Sequence, residues 1–469
     1  MSSRSRSIGA AGLSKVITFP YYERDKRGNS IKVTERGGIF YVTIRYGRKN
    51  TRTFNRSIIP EGELVEKEVS TAREAKAIIS MFKKRFSWAR RGETHALIGQ
   101  GAYGCIYSPA LTCKDSTVSY PNAISKVLPA LDAEKEARNM KVVDAIDPHG
   151  QYHLKLLNDP CDVPDDINLE HCAVEYKKGT KLQRMNKEDS KMLIYQHGGN
   201  PFSIFTAHKT PARLGILELI AFVNVFKALV VFNRNQFIHN DIKPENIVFT
   251  GGTQVRNPVL LKFIDFGSSM TYDTPWNDPR SYAYWPPQVY ILNQITNSTR
   301  RKRFNSIKLD TGDVRRFAQE FALQSNTGVF GYEKEDTVNR RKVSNALIRE
   351  IEEYNKMWNN PLSRRKRPQF LADIYKRHDI YGIGMTLYQT FDSLDSEIVR
   401  IPGFFKSYKN FVRHLIAPSL RERYSPEQAL LEYTKLLQSI PAYIRPKSTL
   451  SSRTAPLTVV HRQGVHKTL

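Results

Sequence analysis

The sequence predicts an α+β fold on three observations. Residues 97–107 form a β-prone run broken by glycines, residues 214–235 show helical apolar spacing, and strand-like stretches at 237–249 and 260–267 bracket polar residues. With 469 residues, 40% apolar and 11% aromatic, the chain can fill at least one large core in about two to four folded units, which excludes a wholly disordered protein. It carries 72 Lys and Arg against 46 Asp and Glu, a formal charge of +26, too basic for an ordinary cytosolic enzyme. No stretch approaches the ~18 uncharged apolar residues of a membrane span, and the opening Met1-Ser2-Ser3-Arg4 lacks the apolar core of a secretory signal. The chain is therefore expected to be soluble and intracellular. Its four cysteines (Cys105, Cys113, Cys161, Cys172) form no CxxC pair and none lies near His at zinc-ligand spacing, so free thiols are expected.

Residues 1–30 read as a disordered basic terminus and 31–92 as a basic β/α extension. Within it, alternation and aromatic content at 38–58 predict two or three short strands, and Thr71-Ala72-Arg73-Glu74 opens a helix over 71–88. With Arg45, Arg48, Lys49, Arg52 and Arg56 on those strands, this region resembles small three-stranded DNA-binding domains of the AP2 and integrase-arm type. The alternative is a basic β-extension packed on its neighbour. Next come Gly99, Gly101 and Gly104, with Ile106 after them. Glycines permit a tight strand-to-strand turn whose N–H groups approach phosphates closely.

The stretch Phe237-Ile238-His239-Asn240-Asp241-Ile242-Lys243-Pro244-Glu245-Asn246 sets a carboxylate, an amine and an amide within six residues. Phosphoryl transfer needs those three types together: Asp241 to accept a hydroxyl proton, Lys243 to steady the γ-phosphate and Asn246 to ligate magnesium. Leu260-Leu261-Lys262-Phe263-Ile264-Asp265-Phe266-Gly267 then offers Asp265 for the metal that bridges the phosphates.

In this order the three motifs resemble the eukaryotic-type protein kinases, over about residues 96–440. The resemblance implies a two-lobed kinase fold, a small β-rich N-lobe at 93–176 and a large helical C-lobe at 177–440, that transfers the γ-phosphate of ATP to protein Ser/Thr hydroxyls with magnesium. It implies Lys126 as the lysine on the α- and β-phosphates and Glu136 as its helical partner, with Glu134 the alternative. Ala173-Val174-Glu175-Tyr176-Lys177 resembles the hinge, Glu175 and Tyr176 offering backbone to adenine and Val174 acting as gatekeeper. Residues 214–235 match the buried scaffold helix before the catalytic loop. Asp379 matches the carboxylate that caps that loop, and Arg423 the buried arginine of the closing segment.

Departures from the pattern carry further expectations. Asn240 replaces the arginine that usually holds an activation-segment phosphate, so activity independent of phosphorylation there is expected, with Ser268, Ser269, Thr271, Tyr272 and Thr274 dispensable. Gln288 replaces the glutamate that pairs with Arg423, which reduces that ion pair to a neutral–charged hydrogen bond. Ser281 falls where serine/threonine kinases keep a hydroxyl near the catalytic Asp and Lys. Gly104 and Lys126 are 22 residues apart against about fourteen in the family, and the run from Gly101 to Cys113 followed by Ile124-Ser125-Lys126-Val127 resembles kinases of large nucleocytoplasmic DNA viruses. Such an origin would place the protein in host cytoplasm, nucleus or virion.

Between Gln288 and Asp379 lie 90 residues, a basic insert at 289–378 with clusters at 300–303 and 364–367 that read as nuclear-localisation-like or as solvated surface. Residues 441–469, without an acidic residue, read as a disordered basic tail. Residues 1–95, 289–378 and 441–469 hold +12, +9 and +5, and the remainder is neutral. A neutral enzyme core with basic additions suggests nucleic acid or another polyanion as a partner besides protein substrates. Two rivals stand beside the kinase reading. One is a pseudokinase scaffold that binds polyanions, against which Lys126, Asp241, Asn246 and Asp265 are all present. The other is a small-molecule phosphotransferase, against which Asn240 and the pair Lys243-Pro244 argue.

Overall fold

The structure, a computed structural model, describes residues 21–24, 30–36, 39–45, 64–69, 95–100, 104–120, 122–167, 169, 172–174, 183–206, 213–250, 259–274, 276, 282–300, 314, 316–317, 336–359 and 367–441. It is a mixed α+β protein in two compact units. The first comprises Met1–Lys126 with Val163–Met185, the second Val127–Asp162 with Asn186–Leu469.

In the first unit, strands β1 (Tyr21–Arg24), β2 (Ser30–Arg36), β3 (Ile39–Arg45) and β4 (Leu64–Val69) make an antiparallel sheet in chain order. The register sets Ile31 opposite Ile44, Val33 opposite Val42 and Phe40 opposite Val69. Strand β3 falls where alternation predicts one. Tyr21–Arg24 and Ser30, by contrast, are strand and not disordered. The tyrosine pair is β-prone, and Tyr21 to Arg24 align with Val33 to Ser30. The predicted helix at 71–88 and the positions Arg48, Lys49, Arg52 and Arg56 lie outside the described residues.

Further on, β5 (Ala96–Gln100) and β6 (Cys105–Ser108) pair antiparallel, with an irregularity between Leu97 and Gly99. Strand β7 (Ala123–Pro129) begins in this unit, and the long loop before it is pinned by Ala110 N–H donating to Ala123 O (2.9 Å) and Leu111 N–H to Ser125 Oγ (3.1 Å). No cysteine is a free thiol, contrary to expectation. Cys105, at the start of β6, is bonded to Cys172 across 67 residues of sequence, both fully buried with Cα atoms 5.8 Å apart. Spacing in the chain carries no sign of that proximity. Closing a loop of this length restricts the unfolded chain by about 4 kcal/mol in the chain-entropy account. The Cys105→Ala/Cys172→Ala double variant is therefore expected to lose 2–4 kcal/mol in denaturant unfolding, an outcome checked against unfolding of the wild type with reductant.

The second unit opens with helix α1 (Ala130–Ile146), which buries Ala133, Glu136, Ala137, Met140 and Val143, one stripe at helical spacing. Strand β8 (Cys161–Asp162) pairs with β11 (Ser190–Gln196). Strands β12 (Asn200–Pro201), β14 (Ile247–Thr250) and β15 (Leu260–Phe263) make a small antiparallel sheet, and β13 (Phe237–Ile238) pairs with β16 (Met270–Thr271). The first unit holds the remaining pair, β9 (Ala173–Val174) with β10 (Gln183–Arg184).

Helix α2 (Ile216–Arg234) is, among the described residues, the one helix long and apolar enough to cross a membrane. Half of its apolar window is buried inside the protein, and the Tyr433 hydroxyl donates to Leu219 O at 2.7 Å. Phe226 meets Tyr433 and Phe411 at ring separations of 4.8 and 5.7 Å, so α2 is the core helix that its position before the polar loop predicts.

Among the described residues the unit also holds helices α3 (Val289–Arg300), α4 (Asp336–Asn359), α5 (Arg367–Lys376), α6 (His378–Tyr388), α7 (Ser396–Val399), α8 (Phe404–Leu415) and α9 (Pro426–Gln438). A Ser425/Gln428 capping box with Pro426 at the first position starts α9. The insert is more than a surface addition: Val343, Leu347, Ile351, Tyr354 and Ile374 are core residues. Its basic clusters fall almost entirely outside the described residues.

His378, at the start of α6, is buried against Trp276 and Trp285 with neither ring nitrogen hydrogen-bonded. Burial first, and then the charge of Arg423, push its pKa down to about 3 from an ordinary 6.5. The unfolded chain then binds a proton below pH 6.5 that the folded chain refuses, so stability is full above 6.5 and is lost as pH falls towards 3. His378→Phe is expected to lose about 1.4 kcal/mol less per pH unit between pH 6.5 and 5 than the wild type, read from denaturant midpoints at each pH.

Candidate active site

All but a few of the predicted chemical residues fall in described parts of the chain, and the central ones gather in the second unit. Strand β13 delivers the chain into His239-Asn240-Asp241, where Asn240 takes φ +65°, a left-handed conformation that Asn tolerates. The Asp379 carboxylate holds this turn by accepting from His239 N–H (2.7 Å) and Asn240 N–H (3.0 Å). Helix α6 comes this close because Gly382 has no side chain; a Cβ there would lie 2.9 Å from Ile242 O. His239 is wholly buried. Its Nε2 lies 2.9 Å from Ile264 O and its Nδ1 accepts from Asp241 N–H at 3.3 Å, which fixes the neutral Nε2–H tautomer. Burial lowers its pKa in the same sense.

Two polar side chains converge on Asp241. Lys243 Nζ donates to Oδ2 at 3.1 Å, and Asn246 Nδ2 donates to Oδ2 and to Asp241 O, each at 2.8 Å. Both side-chain donors thus hold one carboxylate oxygen, leaving Oδ1 for another proton. Burial pushes Asp241 above its ordinary range; Lys243 opposes this and the charge of Asp265 adds to it. Burial alone would lower Lys243, but the Asp241 carboxylate keeps it raised and charged. Ile264 N–H donates to Asn246 O at 3.0 Å, which ties the second motif to the first.

Asp265 follows at φ +64°. The ring of Phe266 is buried against His239 (4.6 Å), Phe232 (6.1 Å) and His153 (6.1 Å). Two carboxylates and an amide oxygen in a partly buried setting suit a hard, oxygen-seeking cation such as magnesium, and the mutual charge of Asp241 and Asp265 would be relieved by one. No group of three or more His, Cys, Asp or Glu is gathered for a metal among the described residues.

Helix α1 is set against this turn by several bonds. Asn139 Nδ2 donates to Phe266 O (2.7 Å) and Ser269 O (3.1 Å). Glu136 is buried and accepts from the Tyr195 hydroxyl at 2.7 Å, whereas Glu134 is half exposed and pairs with Arg138 at 3.9 Å. Of the two alternatives, Glu136 is the one turned to the site. At the far end of α1, buried His153 lies 2.8 Å from both Asp144 and Asp147, beside Phe263 in a parallel bridge. Burial alone would raise Asp147, yet hydrogen bonds from His153, Tyr152 N–H and Gln151 N–H hold it below the usual range.

In the first unit Gly99 lies on β5, Gly104 is buried ahead of β6, and Ile106 and Lys126 are half-buried on β6 and β7. Gly101, Glu175, Tyr176 and Ser281 lie outside the described residues. Val174 stands opposite Gln183 in the short β9–β10 pair. Sequence reasoning passed over β11, the strand that carries Tyr195. Its signal was present: an apolar run, Met192-Leu193-Ile194-Tyr195, ahead of Gly198-Gly199. A Cβ on Gly198 would clash with Leu154 Cδ1 and lie 2.8 Å from Val248 Cγ2, so any side chain there would force these two to shift.

The stretch after Asp265 is tied to the Asn240 turn by internal bonds. Asn240 Nδ2 donates to Ser268 O at 3.1 Å, and Trp285 Nε1 donates to Asn240 O at 2.8 Å. Ser269 is buried and donates to His239 O at 3.0 Å.

The expected neutral–charged hydrogen bond between Gln288 and Arg423 is present, and it extends to a third residue. Arg423 Nη2 donates to Gln288 Oε1 (2.9 Å) and Gln288 Nε2 donates to Glu350 Oε2 (2.8 Å). Leu420 N–H donates to Glu350 Oε1 at 2.7 Å. The pair is therefore a buried relay whose carboxylate comes from α4 of the insert. Burial first pushes Glu350 up, against the lowering effect of its two donors and of Arg423. No protein-family model matches the chain, and a search of curated proteins finds no relative.

Proposed function

We propose that the chain is a protein kinase of two-lobed fold, transferring the γ-phosphate of ATP to Ser or Thr hydroxyls of proteins. The observation that carries this reading is the Asp241 cluster: one carboxylate oxygen held by Lys243 and Asn246, the other available, with Asp265 on the adjoining turn. Asp241 accepts the proton of the attacking hydroxyl, which its raised pKa favours. Lys243, charged and anchored, offsets the negative charge that develops on the transferred group. Asn246 and Asp265 would hold magnesium, which when bound neutralises phosphate charge and orients the leaving group.

Nucleotide contacts are assigned to Gly99, Gly101, Gly104, Ile106 and Lys126, with Glu136 as the helical carboxylate. The adenine-facing backbone is assigned to Gln196 to Gly199, directly after β11, with Glu175 and Tyr176 the alternative. The bond from Tyr195 to Glu136 supports this, because it sets β11 beside the helix that serves the site. Activity without activation-segment phosphorylation is supported by the bond from Asn240 to Ser268 O. Polyanion binding is assigned to the basic residues of 1–95 and 441–469 and to those of 289–378 outside the core helices.

Incubation with γ-labelled ATP, magnesium and a panel of basic and acidic proteins tests the reading. Label on Ser or Thr of an acceptor or of the chain itself supports it. Absence of label on every acceptor and on the chain contradicts it.

A further inference from the structure

We propose that the Tyr195 hydroxyl is a positioning group that holds Glu136, and through it helix α1, in the working setting beside the Asp265 turn. This rests on the phosphoryl-transfer reading of that turn. The bond is 2.7 Å long and buried at both ends, Tyr195 being 7% and Glu136 3% exposed, so little water competes for it. Tyr195 sits on a strand fixed on each side by Leu157 N–H donating to Ile194 O (2.7 Å) and Gln196 N–H to Lys155 O (3.1 Å). Its hydroxyl is therefore held by the backbone rather than by a mobile loop.

The Glu136 carboxylate has two oxygens with separate surroundings. Oε1 accepts the hydrogen bond from the Tyr195 hydroxyl. Oε2 faces the turn after Asp265: a Cβ placed on Gly267 would lie 3.3 Å from Glu136 Oε2 and 3.5 Å from Asp265 Oδ1. Fixing Oε1 thus orients Oε2. Burial, and then the charge of Glu136, raise the Tyr195 pKa well above its ordinary value, so the phenol stays protonated and remains a donor at any working pH. Together with Asn139, which donates to Phe266 O and Ser269 O, Tyr195 contributes a neutral donor to the registry of α1 against the turn. A helix held in this way needs no added phosphate to reach its working position.

Tyr195→Phe keeps the ring and removes only the donor. Hydrogen bonds to charged groups are among the stronger ones, and phosphate-transfer kcat/KM is expected to fall about tenfold in this variant. Glu136→Gln is expected to cost at least as much. The double variant is expected to be no slower than Glu136→Gln, because both changes break one linkage. Multiplying effects would overturn the proposal, since a tyrosine that merely fills space acts independently of the Glu136 charge. Melting temperatures of the same four proteins are expected to be non-additive, and additive values would equally overturn it. If the wild type transfers no phosphate, the kinase reading fails, while the melting cycle still decides whether Tyr195 and Glu136 act as a unit.

Discussion

Glu350→Ala is expected to destabilise the protein by about 3–5 kcal/mol, because it leaves Arg423 charged and buried without a carboxylate. Arg423 is 1% exposed, and its Nη1 already lacks a hydrogen-bond partner. Its remaining contacts are Ala417 O, Pro418 O, Gln288 Oε1 and the face of Tyr381, with its carbon 5.2 Å from the ring centroid. Burial pushes its pKa down to about 10, so it keeps its proton at neutral pH. The relay makes a sharper prediction than truncation does. Gln288→Glu alone would set a second carboxylate where Gln288 Nε2 now lies 2.8 Å from Glu350, and is expected to destabilise increasingly as pH rises and both groups must ionise. Gln288→Glu with Glu350→Gln restores one charge of each sign and is expected to recover most of the loss. Denaturant unfolding of the four proteins at two pH values checks this. A double variant no better than either single change would contradict the relay.

Asp241→Asn is expected to lower phosphate transfer about a thousandfold, the range for removing a general base. Asparagine keeps the shape and can still meet Lys243 and Asn246, so folding and nucleotide binding should persist. The pH profile separates this from a general loss of structure. The base works unprotonated, so the wild-type rate falls as pH drops through the Asp241 pKa, which burial places above its ordinary 3.8. The residual activity of Asp241→Asn should lack that limb.

The Asp241 cluster was legible because its parts lie close in sequence. Asp241, Lys243 and Asn246 span six residues, and Asp265 sits at the end of a strand that pairs with the one leaving the loop, β15 on β14. The role of Asp379 was legible only through the resemblance, and its two backbone bonds agree with that reading. Glu350 was not legible. It lies 62 residues beyond Gln288 on a helix read as part of a basic addition, and an isolated glutamate among charged neighbours carries no sign of burial. The Cys105–Cys172 bond escaped for the same reason, being a proximity made by the fold. Strand β11 failed differently. Its apolar run, Met192 to Tyr195, was in the chain, but nothing in that run marked the long-range bond from Tyr195 to Glu136. The N-terminal sheet was half legible, with β3 marked by alternation and β1 too short to stand out beside its charges.

The most direct test sets wild type beside Asp241→Asn and Asp265→Asn in one assay with γ-labelled ATP, magnesium and acceptor protein, with melting temperatures recorded for all three. A kinase centred on these residues predicts label on Ser or Thr with the wild type and almost none with either variant, all three remaining folded. Transfer at the wild-type rate by a folded Asp241→Asn would contradict the account.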